Sequence, residues 1–200
     1  KNALWGILMG GGAGVEWYFG YKHPHSDLTC EDFRSRDAMW DQTRIALTFF
    51  EAYNVPLHRC TPAEYETDNV WSLAGRAERG EYCQVLYFKD GGTVRVEVPE
   101  GRYGYGWVNP RTGEGLTALL ESGTFSGDEH TFTAPGDNDW VLLVREGGVP
   151  TSTLAGGPDP LVLSAIDDFT MPVDGFAPGY VDQGRRALAI NAAEHKDAFA

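Results

Sequence analysis

Lys1-Asn-Ala-Leu-Trp-Gly-Ile-Leu-Met9 runs into Gly10-Gly-Gly-Ala-Gly14 and then Val15-Glu16-Trp17-Tyr18-Phe19. An apolar helical segment, a glycine turn and a short apolar strand carrying one acid are the parts of one repeat of an α/β barrel, in which strand and helix alternate. On this reading the chain opens inside a barrel whose other repeats are missing. Its function then belongs to a longer parent.

The remaining composition fits a packed chain rather than a disordered one, because 42% of its 200 residues are hydrophobic and 12% aromatic. That is enough apolar surface for one domain or two small ones. Sixteen Lys and Arg against twenty-nine Asp and Glu give a net charge of −13, so nucleic-acid phosphates and anionic membranes are repelled, and neither is an expected partner. No apolar run approaches the roughly 20 residues that span a bilayer. The stretch also lacks the basic start and hydrophobic core of a secretory signal. Cys30, Cys60 and Cys83 are too few for a disulfide framework and lack C-x-x-C metal spacing, so they read as ordinary buried thiols.

Beyond the opening, Phe33, Trp40 and Leu47 recur every seven positions, with Ile45 and Phe49 beside them. This predicts an amphipathic helix over residues 31–53. Thr61-Pro62-Ala63-Glu64 carries an N-cap, a proline at the first helical position and an acid at the third, which predicts one more helical turn. The periodicity then changes to two. Strands are predicted at 70–74, 81–88, 93–98, 102–108, 116–120, 130–134 and 140–144, with Lys89-Asp90-Gly91-Gly92 closing a hairpin between the second and third. About seven short strands with turn signals imply an antiparallel β-sandwich. The expected fold is mixed: the terminal βα unit of a (β/α)8 barrel over residues 1–64, then the sandwich over 65–146. A Gly-, Pro- and Thr-rich linker follows at 147–160, and residues 161–200 begin a further module.

Two groups of strings carry a family resemblance. Residues 5–20, then His25-Ser-Asp-Leu-Thr-Cys-Glu-Asp32, Arg34-Ser-Arg-Asp37 and Met39-Trp-Asp-Gln-Thr-Arg44, resemble the end of the catalytic barrel in bacterial apiosidase-like glycoside hydrolases. Trp107-Val-Asn-Pro-Arg-Thr-Gly113 and Asp139-Trp-Val-Leu-Leu-Val144 resemble the β-sandwich behind such barrels, labelled as the collagen-binding domain of a collagenase. The resemblance implies the C-terminal part of a secreted glycoside hydrolase acting on a polysaccharide, with the sandwich supporting the barrel. It implies a secreted, periplasmic or cell-surface location. The alternative is a stand-alone binding module for a polysaccharide or a collagen-like protein. Residues 187–200 resemble the opening of an accessory sugar-binding sandwich.

Glycosidases need two carboxylates flanking the scissile bond, and related barrels carry these on earlier strands. No catalytic residue is therefore expected here, and the fragment is expected to be inactive. Glu16, Trp17 and Tyr18 would lie near the last strand's end, where barrel sites are built. Glu16 either meets substrate in the parent or pairs with a buried cation, which a buried carboxylate needs. His25 and Asp27 either line the same sugar site or belong to a solvated loop. With His23 they offer metal-ligand atoms, but the spacing fits no zinc pattern, and neither metal nor cofactor is expected. In the sandwich, Tyr103, Tyr105 and Trp107 share one strand face. They form either an exposed docking platform or a core stripe, with Gly104 and Gly106 admitting another backbone behind them. The Asp-rich turns at 127–129 and 136–139 lack calcium-loop spacing.

Overall fold

The computed structural model describes residues 2–17, 37–65 and 67–155. The predicted start of the second helix, the loop of His23, His25 and Asp27, Cys30, and everything from 156 onward lie outside them. The chain divides between Gly156 and Gly157, and Lys1–Gly156 is one compact unit.

Two α-helices, a short 3-10 turn (Leu57–Arg59) and six strands make up that unit among the described residues. Helix α1 (Asn2–Met9) buries Leu4, Trp5, Leu8 and Met9 on one face. It ends where Gly11 adopts φ 83 and the Gly12 amide donates back to the Ile7 carbonyl at 2.8 Å, a left-handed cap that suits glycine. Helix α2 (Asp37–Ala52) buries Ile45, Ala46, Phe49 and Phe50, whereas Leu47, expected on the seven-residue stripe, is exposed, so the buried face is centred on the expected Ile45 and Phe49 rather than on Leu47. The segment after α1 departs from expectation. Val15, Glu16 and Trp17 form no strand and Glu16 is exposed, so the described residues contain no terminal barrel strand.

The strands are β1 (Cys60–Ala63), β2 (Val70–Arg76), β3 (Tyr82–Phe88), β4 (Thr93–Val108), β5 (Leu120–Thr133) and β6 (Trp140–Glu146). They form one antiparallel sheet in the order β1-β2-β3-β6-β4-β5. The expected barrel unit plus seven-stranded sandwich is therefore corrected to a single antiparallel sheet with two helices. Four local readings change with it: the strand expected at 116–120 is absent, because β5 begins only at Leu120 and runs into the segment expected at 130–134, and three others follow. Thr61 and Pro62 lie in a strand, not a helical turn; proline is tolerated because β1 is an edge. Lys89–Gly92 closes no hairpin: β3 pairs with β2 and β6, whereas β4 pairs with β5 and β6. The strands expected at 93–98 and 102–108 are one long strand, with a register shift between Glu97 and Gly101.

That irregularity shapes the molecule. A bulge adds twist and bends a strand, and beyond it Val94, Val96 and Val98 pack with Leu86, Phe88, Leu142 and Val144 from the sheet centre. The sheet therefore curls over itself. Its other face carries the helices: Trp5 stacks on Tyr87 at 5.4 Å, and Phe49 and Phe50 each lie within 6.0 Å of Trp5. Central strands covered on both faces read as continuous apolar runs, and β3 is buried from Cys83 to Phe88. The first half of β4 is covered on one face only, and burial there alternates strictly.

Residues 147–155, glycine-rich by composition, return to the end of α2. The Thr153 amide donates to the Ala52 carbonyl at 2.9 Å, and the Ser152 hydroxyl donates to the Leu116 carbonyl. Arg145 adds a guanidinium at the same helix end, donating to the Tyr53 carbonyl at 3.0 Å and to that of Asn54 at 3.2 Å. Cations there satisfy carbonyls that the helix leaves unpaired.

Candidate functional site

The residues singled out by sequence do not converge on one place. Trp17 is pinned to α2, its indole N–H donating to the Thr43 hydroxyl at 2.9 Å, while that hydroxyl donates to the Met39 carbonyl at 2.9 Å. Glu16 is exposed. Tyr18, His25 and Asp27 lie outside the described residues. Tyr103 and Trp107 are 1% and 2% exposed, and half-buried Tyr105 packs among Phe125, His130 and Phe132. These three aromatics are the core of the curl rather than a docking face. Gly104 behind them receives the strap at 147–149, since a Cβ there would lie 2.7 Å from the Val149 amide nitrogen.

The string from Trp107 to Gly113 is a latch. The Asn109 amide donates to the Glu114 carbonyl at 2.9 Å, the Arg111 amide and Nε each donate to Asn109 Oδ1 at 3.1 Å, and Arg111 Nε reaches Asp139 Oδ1 at 3.2 Å. Asp139 is fully buried and also accepts from the Tyr87 hydroxyl at 3.1 Å. A buried carboxylate is tolerated only with partners of this kind. The latch thus ties the loop after β4 to the start of β6.

A groove among the described residues that gathers hydrogen-bonding side chains around a buried amide lies where residues 93–97 approach the segment after β1. The groove, of about 630 Å³, is walled on one side by Ala63, Glu64, Tyr65 and Thr67 and on the other by Thr93, Val94, Arg95 and Glu97, with Tyr82 and Gln84 between them. Gln84 is 1% exposed and interrupts the apolar run of β3. Its Nε2 donates to the Tyr65 hydroxyl at 2.7 Å and to Ser72 Oγ at 2.9 Å, and its Oε1 accepts from the Tyr82 hydroxyl at 3.0 Å. Ser72 passes its own proton to the Val85 carbonyl at 3.2 Å. One amide hydrogen and the amide oxygen of Gln84 therefore aim two phenols, the other amide hydrogen is held by Ser72, and Tyr65 keeps a proton of its own to donate.

Burial pushes the Tyr65 hydroxyl up from its ordinary 10.0 and the Tyr82 hydroxyl well up. At Tyr65 the hydrogen bonds of Gln84 and Ser72 partly offset this, and the nearby Glu97 charge adds to it. Both phenols are neutral donors at physiological pH. The groove walls carry Glu64 and Glu97, while Arg95 is engaged by Glu129, leaving the groove net acidic. Among the described residues no group of three or more His, Cys, Asp and Glu side chains is placed to hold a metal.

Sequence reading passed over Tyr65, Tyr82 and Gln84. The available signal was the glutamine itself, since a polar side chain inside a continuously buried run demands partners.

No family model matches the chain, and no curated protein sequence matches it. Among solved structures it is similar to a cupin-2 domain from Rhodospirillum rubrum, at 14% identity and a TM-score of 0.31, over 50% of this chain and 76% of that one. It is also similar to a cupin superfamily protein from Desulfitobacterium hafniense, at 14% identity and a TM-score of 0.29, over 42% and 82%. A third is the Rhodobacter sphaeroides SigE in complex with the anti-sigma ChrR, at 15% identity and a TM-score of 0.34, over 72% and 75%. At TM-scores below 0.5 these likenesses carry neither an activity nor a ligand to this chain. None of these three is described as a glycoside hydrolase or a collagen-binding domain. Together with the single curled sheet, this corrects the glycoside hydrolase resemblance. The (β/α)8 barrel, the polysaccharide substrate and the collagen-like partner fall with it.

Proposed function

We propose that the described unit is a ligand-binding domain whose groove takes a small polar group rich in hydrogen-bond donors and positive charge. The observation that carries this reading is the placement of Gln84: an almost fully buried amide holds the Tyr65 and Tyr82 hydroxyls in a groove walled by two carboxylates. Buried polar networks rigidify the groups they hold, and preorganised polar groups lower the ordering cost of binding.

The test uses arginine amide as probe, titrated into the full chain and followed by amide chemical shifts. Movement confined to Tyr65, Thr67, Gln84 and residues 93–97, lost in Gln84→Met while the remaining spectrum stays folded, supports the reading. Shifts scattered over the acidic surface, or unchanged in Gln84→Met, overturn it.

A further inference from the structure

The groove has an unusual pair of walls. Gln84 and Tyr82 face into the curl, as do Val94 and Val96, which belong to its core. Thr93, Arg95 and Glu97 alternate with those valines and are exposed, yet they line the same groove. A cleft lined by both sets runs along the edge of the strand, not over either of its faces. Strand pairing agrees. Residues 93–97 pair with β5 on one side, and β6 meets β4 only from Tyr103 to Val108. Among the described residues the second edge of 93–98 therefore pairs with no strand, and it faces the groove. Across the gap stand Ala63, the last residue of β1, and Glu64, Tyr65 and Thr67 from the segment that follows it. The groove thus opens between one unpaired strand edge and the loop after β1.

Building on the groove reading, we infer that the ligand is an extended basic peptide segment that adds as a strand along residues 93–98. Backbone N–H and C=O groups on that edge supply sequence-independent hydrogen bonds, the mode by which sheet edges capture peptides. Six residues offer about 20 Å of edge, the length of an ordinary strand. Charge selects the occupant. Glu64 and Glu97 flank the gap, Arg95 is occupied by Glu129, and the whole chain carries −13, so Lys or Arg on alternate peptide positions is favoured and acidic segments are rejected. The chain's own residues 157–200 hold seven acidic against three basic side chains, which fits them poorly for this place.

The experiment titrates a blocked peptide of about eight residues, alternating lysine and threonine, into the full chain. Hydrogen exchange of residues 93–98 is measured alongside chemical shifts. Binding accompanied by slowed exchange of alternate amides in 93–98 is expected. An analogue N-methylated on alternate residues, which cannot pair, should bind about tenfold more weakly, as should a glutamate–threonine counterpart. Glu97→Lys should reverse the preference between the two charged peptides. If the N-methylated peptide binds equally well and shifts Tyr65 and Gln84 without slowing exchange, strand addition is wrong while the groove remains a binding site. Absence of any response to the lysine peptide at millimolar concentration also removes strand addition, and the arginine amide titration then judges the groove separately. Exchange already slow in the peptide-free monomer would place another part of this chain on the edge. Slowing that appears only as the chain dimerises would place a second copy there. Either result overturns the basic-peptide proposal.

Discussion

Arg111 Nε lies 3.2 Å from Oδ1 of Asp139, a carboxylate with no exposed surface, and the two residues come from opposite ends of a loop-and-strand excursion closed by this contact. Arg111 also stands over the Trp140 ring at 5.6 Å. Removing one member of such a buried pair weakens the compensation of the other's charge, which costs up to about 3–5 kcal/mol in comparable sites. Because part of the Arg111 side chain remains in solvent, Arg111→Ala should fall at the lower end, about 3 kcal/mol. Adding Asp139→Asn should recover part of the loss. Urea denaturation of both variants checks this; equal stability of Arg111→Ala and the parent would remove the latch from the account.

Trp5 is completely buried and stacks on Tyr87 with their planes 7° apart, yet its indole N–H has no hydrogen-bond partner among the described residues. An orphaned buried donor costs stability, so Trp5→Phe trades lost contact area against relief of that cost and should change stability by no more than about 1 kcal/mol. Trp5→Ala keeps no ring against the sheet and should lose about 3–5 kcal/mol. Thermal melts of the two variants separate the effects.

Burial pushes the Cys83 thiol from its ordinary 9.0 up to about 12, with the Arg145 charge opposing and Cys60 adding slightly. The folded state thus keeps this proton over a range in which the unfolded chain releases it. The associated stability is complete below pH 9 and declines as pH rises from there toward 12, by at most about 1.4 kcal/mol per pH unit. Denaturation at pH 8.5 and pH 10 should show the fall, and Cys83→Ala should reduce it, the remainder coming from Cys60 and the buried tyrosines, whose hydroxyls burial also raises. A slope unchanged in Cys83→Ala would assign the alkaline loss to other groups.

A methyl group at residue 104 would meet the Val149 amide nitrogen at 2.7 Å and Gly148 Cα at 2.8 Å, both backbone atoms that cannot step aside as a flexible side chain can. Gly104→Ala should therefore displace the strap at 147–155 and lose about 1–3 kcal/mol, as overpacking does. Faster proteolysis within 147–155 would locate the damage; unaltered cleavage would mean that the strap tolerates the shift.

The helices and the central strands were legible because local pattern sufficed for them. The stripe of Ile45 and Phe49 marks α2, and the buried run from Cys83 to Phe88 marks β3 whatever lies beside it. Pairing was not legible: nothing in the four residues Lys89–Gly92 separates a hairpin from a passage between non-neighbouring strands. Thr61-Pro62 suits a helix start and a sheet edge equally, and only the lack of a further neighbour beyond β1 decides between them. The resemblance built on the strings around Trp5, Trp107 and Asp139 misled because short strings can mark shared turns and latches without sharing a fold. The candidate site was the least legible part, since Tyr65, Gln84 and Thr93 meet only after β4 bends.

By itself, the sequence determined the local elements, the net negative charge and the need to bury an aromatic core, because helix period, strand alternation and side-chain chemistry are properties of neighbouring residues. Tertiary structure alone decided that β6 lies between β3 and β4, that Tyr103 and Trp107 point inward, and that an acidic groove opens beside an unpaired strand edge. Those outcomes depend on a bulge between Glu97 and Gly101 that turns one long strand back over its own sheet, and the contacts that reward the bend come from residues distant in the chain.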